Sequence, residues 1–202
     1  MTTSEPRLSP SSSKPIRLGI SSCLLGEEVR FDGGHKRDAY IISTLGRWFE
    51  FVSVCPEVAI GMSIPRQPIR LVKVGGDVRV RGVKDSSIDV TQPLTDFGHE
   101  MTARLTDLCG YLFKRGSPTC GMERVKVYAE NGQPTHRGVG AYSNIIMSAY
   151  PLLPCEEEGR LGDPVLRENF IERVFVYNRW QALLRSGLSA HKLVQFHTEH
   201  KF

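Results

Sequence analysis

The chain has 202 residues, 40% hydrophobic and 24% charged, with a net charge of +4. That is enough apolar material for one α/β domain with a small appendage, and no run approaches the roughly 18 apolar residues of a membrane helix. Five cysteines, odd in number and widely spread, do not make the framework of a small secreted domain. The polar first 14 residues lack the apolar core of a secretory signal, so the expected location is the cytoplasm, with no membrane partner. The small positive excess permits contact with nucleic acid without requiring it.

Residues 1–14, with Ser11-Ser12-Ser13 and two prolines, bury too little apolar surface to offset their ordering entropy and read as a disordered leader. A strand is expected from Ile16 to Ser21, running into Cys23. A loop rich in glycine and charge follows, carrying Asp32, His35 and Lys36, the kind of segment that bears function on a rigid scaffold. Asp38 caps a helix expected from Ala39 to about Phe49, with Tyr40, Ile41, Leu45 and Trp48 at helical spacing. A second strand, Phe51-Val-Ser-Val, ends at Cys55-Pro-Glu57.

The alternation from Leu71 to Arg81 around Gly75-Gly76 predicts a hairpin. Thr91-Gln-Pro93 opens a helix by a cap and an early proline, expected to run through Met101, Leu105 and Leu108. A third strand then starts at Tyr111, with Cys109 before it and Cys120 just past a Gly-Ser-Pro turn. A second hairpin is expected from Arg124 to Arg137 around Asn131-Gly132, a short helix from Gly138 to Tyr150, and a last short strand at Leu152-Leu153 ending at Cys155. From Asp163-Pro164, Leu166, Phe170, Val174, Tyr177, Trp180 and Leu184 form a helical stripe ending at Gly187, and another helix starts near Ser189. Arg167, Arg173, Arg179 and Arg185 recur every six residues, which spreads them around the helix axis.

Three strands each end at a cysteine, and in an open parallel sheet the C-terminal strand edge is where ligands bind. Cys23, Cys55 and Cys120 are therefore expected to converge there as soft ligands for zinc, copper or an iron-sulfur cluster. Singly, each would read as a small buried hydrophobe; Cys109 is read so, and Cys155 as well, with a fourth ligand as its alternative. The stiff Cys-Pro-Glu turn presents Glu57 either as a proton carrier beside Cys55 or as a solvated loop glutamate. Ser117 either caps its own turn or donates to a ligand. Asp32, His35 and Lys36 are loop polars or pocket lining, and Arg66, between two prolines, can steer an anionic or nucleobase group.

The segments Ile20-Ser-Ser-Cys23-Leu-Leu-Gly, Val29-Arg-Phe-Asp32-Gly-Gly-His35-Lys36, Val54-Cys55-Pro-Glu57-Val, Gly61-Met-Ser-Ile-Pro65-Arg66 and Lys114-Arg-Gly-Ser117-Pro-Thr-Cys120-Gly121 together resemble the thiouracil desulfidase (TudS) family. The resemblance covers about residues 15–164, and the segment from Pro164 resembles the start of the helical domain of longer members that act on 4-thiouridine in tRNA. It implies a Rossmann-like three-layer α/β domain with a mostly parallel sheet over residues 15–164, followed by a short α-helical segment, 165–202. It implies a 4Fe-4S cluster held by Cys23, Cys55 and Cys120, with one iron free of protein ligands. Glu57 and Ser117 would be catalytic; Ser22, Asp32, Lys36 and Arg66 would bind substrate. The implied reaction is non-redox hydrolysis of a thiolated pyrimidine base or nucleoside, with tRNA as a further partner. Two other readings stay open: a zinc-stabilised nucleic-acid-binding module without catalysis, and a metal-free thiol enzyme with one nucleophilic cysteine.

Overall fold

The computed structural model describes residues 14–201, so the leader expected over residues 1–14 falls, but for Lys14, outside them. The strands are β1 (Ile16–Ser21), β2 (Phe49–Val54), β3 (Ile69–Val74), β4 (Asp77–Gly82), β5 (Leu108–Phe113), β6 (Val125–Ala129), β7 (Pro134–Gly138) and β8 (Cys155–Glu157). The helices are α1 (Ala39–Ser43), α2 (Pro56–Ala59), α3 (Thr91–Arg104), α4 (Ala141–Ala149), α5 (Pro164–Arg185) and α6 (Ala190–Glu199). None of these helices is long and apolar enough to cross a membrane.

The first sheet has the order β2-β1-β5-β8, and every neighbouring pair in it is parallel. A parallel sheet covered on both faces needs strands that are apolar throughout, and β5 is buried at all six positions. Its side chains alternate between two cores. Leu112 joins Leu18, Ile20, Ile41, Phe170 and Val174 on the face of α1 and α5, while Tyr111 and Phe113 join Met101, Tyr142 and Ile146 on the face of α3 and α4. Gly19 makes room for this arrangement, since a Cβ there would stand 2.3 Å from the Tyr111 ring. The result is the expected three-layer, Rossmann-like architecture, except that α5, expected to begin a separate helical segment after residue 164, supplies Phe170 and Val174 to one of its layers.

The second sheet has the order β4-β3-β6-β7. It is two antiparallel hairpins joined by the parallel pair β3 and β6, and both hairpins stand where the turn residues put them. Ile69, Leu71, Val80, Val125 and Val127 pack its inner face against Leu94 of α3.

Four expectations are corrected. The helix after Asp38 is one short α-helix, Ala39–Ser43, followed by a 3₁₀ turn, Leu45–Arg47; Phe49 is already in β2, paired with Ile16. Trp48 is left 69% exposed, so the apolar spacing continued past the point where edge-strand pairing took over. Leu108 and Cys109 belong to β5 and not to the segment before it. Thr91 is the first helical residue rather than the cap; its hydroxyl accepts from Val80 N at 2.8 Å and donates to Asp89 at 2.6 Å. The last strand is Cys155–Glu157, paired with Tyr111 to Phe113, and not Leu152-Leu153. Leu152 is exposed and Leu153 is in the core, because the chain turns there before pairing. The two C-terminal helices form as expected: Asp163 and Ser189 cap them, and Gly187 takes the positive φ between them.

Asp89 fastens the second sheet to α3. One carboxylate oxygen accepts from Arg79 at 2.5 Å and Arg81 at 3.3 Å, the other from Thr91 N and Oγ1. Burial opposes its ionisation, but the bonds from Arg79, Thr91 and Arg81 outweigh it and hold the carboxyl well below its usual range. A depressed folded-state pKa stabilises above the unfolded value, about 3.9, and the stabilisation is lost as pH falls below it. Asp89→Asn is expected to cost about 1 kcal/mol at pH 7, discounted for partial exposure. The difference from wild type, followed by urea melts, should shrink toward pH 3.

Candidate functional site

At the C-terminal edge of the parallel sheet lies a cavity of about 320 Å³ lined by Cys23, Cys55 and Cys120. Each thiol arrives by a different local device. Cys23 sits in the 3₁₀ turn that follows β1, where its carbonyl accepts from Lys36 N at 2.8 Å. Cys55 is the N-cap of α2, with Pro56 supplying the fixed φ of a first helical turn. Cys120 is held by the Ser117 hydroxyl, which accepts from Thr119 N at 3.2 Å and Cys120 N at 3.1 Å.

The Cys120 loop is tied down from two sides. The first amides of α4 donate to it, Ala141 N to Pro118 O at 3.0 Å and Tyr142 N to Thr119 O at 3.0 Å, so the loop satisfies donors that a helix start leaves free. Gly140 allows the approach, since a Cβ there would lie 2.6 Å from Thr119 O. From the end of β8 and the turn after it, Glu157 accepts from Met122 N at 2.9 Å and Glu158 from Arg115 N at 2.7 Å, while Lys114 pairs with Glu158. Burial pushes the Glu157 carboxyl up, against the opposing hydrogen bond from Met122 N. The acidic run after Cys155 is thus a brace for the cavity.

Glu57 also lines the cavity. Its Oε2 accepts from Arg66 Nε at 2.9 Å and Nη2 at 2.7 Å, and its Oε1 from Thr119 Oγ1 at 2.9 Å. Thr119 Oγ1 lies 2.9 Å from Ser117 Oγ, so a hydroxyl chain runs from Ser117 to the carboxylate.

Of the residues singled out in the sequence, Ser22, Cys23, Lys36, Cys55, Glu57, Arg66, Ser117 and Cys120 line this one cavity. Arg66 does so with its donors committed to Glu57, Ser63 O and Val29 O. Ser22 shares a hydrogen bond with Ser53 at 2.7 Å. Asp32 stands outside the lining, exposed, accepting from Gly34 N at 3.1 Å within its own turn. His35 is likewise a turn residue, accepting from Arg37 N. Sequence reading missed Arg30, Lys114 and Thr119, all of them lining. Thr119 carried a signal: it stands between Ser117 and Cys120 in a turn built from short hydroxyl side chains. Cys109 and Cys155 are outside the cavity lining and pack in the two cores.

Burial pushes the free thiols up, Cys23 to about 11 against the opposing pull of Lys114 and Arg30, and Cys120 to about 12. Cys55 moves in the same direction for the same reason. Charged thiolates here therefore need a compensating positive group. Among the described residues no three of His, Cys, Asp or Glu converge on a point that would hold a single ion. Three soft donors spread around a cavity many times the roughly 30 Å³ share of one water suit a polynuclear cluster, whose thiolates each take a different iron.

The chain matches the 2-thiouracil desulfurase family over residues 18–158, a span that holds every cysteine of the cavity together with Glu57 and Ser117. A protein of Bacillus subtilis (strain 168), YbbK, itself uncharacterised, is 30% identical over 108 residues, 50% of this chain and 71% of that protein. Among solved structures, the 4Fe-4S-dependent thiouracil desulfidase TudS superposes with a TM-score of 0.56 at 24% identity, covering 76% of this chain and 98% of that one. The superposition carries the fold. The family match extends over more than half of the sequence and takes in the whole cavity, and by it the chain belongs to the 2-thiouracil desulfurase family.

Proposed function

We propose that this chain is a cytoplasmic desulfidase that removes sulfur from thiolated pyrimidines, 2-thiouracil or 4-thiouridine as base or nucleoside, with 4-thiouridine in tRNA as a further form. The reaction replaces C=S by C=O with water and releases sulfide, without net electron transfer. The observation that supports it is the meeting of Cys23, Cys55, Cys120 and Glu57 in one cavity, in a family named for thiouracil desulfuration. Cys23, Cys55 and Cys120 would hold a 4Fe-4S cluster like that of TudS. Bound there, such a cluster supplies a Lewis-acidic iron for a soft thiocarbonyl sulfur.

The chain's own residues manage the protons. Arg66 occupies Oε2 of Glu57 with two N–H bonds, which leaves Oε1 as the oxygen that takes a proton from the attacking water. Thr119, the partner of Oε1, can donate or accept because a hydroxyl does both, so it can follow that proton without leaving a buried group unpaired. Ser117 fixes the turn of Cys120 through two amides and closes the hydroxyl chain. Arg66 acts in this scheme as a positioning residue for Glu57.

The test is anaerobic reconstitution with iron and sulfide, then incubation with 2-thiouracil, 4-thiouridine and thiolated tRNA while thiocarbonyl absorbance and released sulfide are followed. Brown protein and cluster-dependent loss of absorbance are the expected outcome; colourless zinc-loaded protein without turnover would overturn it. Cys23→Ala, Cys55→Ala and Cys120→Ala should each lose iron and turnover, whereas a single-nucleophile thiol enzyme would be abolished by only one of them. Glu57→Gln should keep its iron and lower kcat by about 10²–10⁴-fold. Thr119→Val should fall between Glu57→Gln and wild type, with Thr119→Ser close to wild type. Cys155→Val, a near-isosteric change outside the cavity, should leave iron content unchanged and shift stability by less than about 1.5 kcal/mol; loss of iron would make Cys155 a ligand.

A further inference from the structure

The outer face of the second sheet carries a row of cations that only the strand register reveals. Arg70 on β3 stands opposite Arg81 on β4. The β3 and β6 register, Leu71 with Val127, brings Lys126 to the other side of Arg70, and Lys126 stands opposite Arg137 on β7. Arg81, Arg70, Lys126 and Arg137 thus form an unbroken line across all four strands, about 14 Å long at a strand spacing of about 4.8 Å. In the next row Arg79 faces Val72, and Val72 faces Tyr128.

Like charges placed directly opposite destabilise a sheet, and little here neutralises them. Asp89 pairs with Arg79 and Arg81, whereas among the described residues Arg70, Lys126 and Arg137 have no ion pair. The Arg70 guanidinium lies 5.1 Å over the Tyr128 ring, and its Nε is buried without a hydrogen-bond partner among the described residues. Of the large exposed apolar side chains, Trp48 and Leu152 lie elsewhere, while Val78 on β4 and Val83 just past it offer too little apolar surface to insert into a bilayer. Both central strands leave the cavity directly: Ile69, which lines it, precedes Arg70, and β6 begins five residues after Cys120. The row therefore sits at the cavity end of the sheet.

We propose that this face docks RNA, its cation row on the phosphates and the Arg70–Tyr128 stack available to an unpaired base. The proposal deepens the reading above toward substrate carried on RNA, and its binding test does not depend on turnover. Full-length protein is titrated into labelled bulk tRNA at several salt concentrations. Lys126→Gln/Arg137→Gln, both exposed and unpaired, should weaken binding roughly ten- to a hundredfold and lower the salt slope by about 1.4–1.8, the share of two phosphate contacts. Turnover of free 2-thiouracil should not change, because neither residue lines the cavity. Arg179→Gln/Lys192→Gln, the same charge loss on the C-terminal helices, should leave affinity within about twofold. Three outcomes overturn the proposal: no binding of tRNA by wild type at low salt, equal losses from the two double variants, or tighter binding to vesicles of phosphatidylcholine and phosphatidylserine than to tRNA. Failure of desulfuration with RNA binding intact would count against the proposed chemistry alone.

Discussion

The guanidinium of Arg66 is bonded to the segments that carry the thiols. It donates to Val29 O, in the loop after Cys23, and to Glu57, two residues past Cys55; through Glu57 it reaches Thr119, the neighbour of Cys120. The two side chains are 5% and 14% exposed. Withdrawing two charges from water carries a penalty of several kcal/mol per ion, which a buried pair offsets only when its remaining donors and acceptors are met. Here both carboxylate oxygens and four of the five guanidinium N–H groups have partners, Ser63 O among them. A shift of any one segment would leave a charge or an acceptor unsatisfied where little solvent reaches it, so the pair sets the register of all three. That is what a site built from distant loops requires, since nothing local in the sequence holds Cys23, Cys55 and Cys120 together.

The legible part of the molecule was the part written locally. Apolar runs ending in turn residues located β1, β2 and β5, and with them the cavity edge; Gly75-Gly76 and Asn131-Gly132 located the hairpins. Errors came where a local pattern met a tertiary competitor. The stripe through Trp48 was helical in period but lost its end to the pairing of Phe49 with Ile16. Leu152-Leu153 was apolar enough for a strand, yet the pairing with β5 begins at Cys155. Arg66 stands out in the sequence for its charge between two prolines, but that its donors are spent on Glu57 depends on a contact nine residues away in sequence and across a turn. The three glutamates from Glu156 to Glu158 gave no sign that two of them hold the Cys120 loop, because apart from Lys114 their partners there are backbone amides, which leave no residue signature.

The second sheet shows why a charge pattern can be invisible in sequence and plain in a fold. Arg70, Arg81, Lys126 and Arg137 are scattered over 68 positions of the chain, and each alone looks like the solvated half of an alternating strand. Register alone makes them neighbours. The same alternation puts Leu71, Val80 and Val127 on the opposite face, so the inner face anchors the sheet to α3 while the outer face, Val72 buried at its centre, carries the charge. A substitution on the outer face need not disturb the core beneath it, whereas Val125, at the start of β6, packs against Gly121 in the Cys120 loop. Surface charge and core packing are therefore separable by face within single strands, and the two can vary independently although the residues concerned are adjacent in sequence.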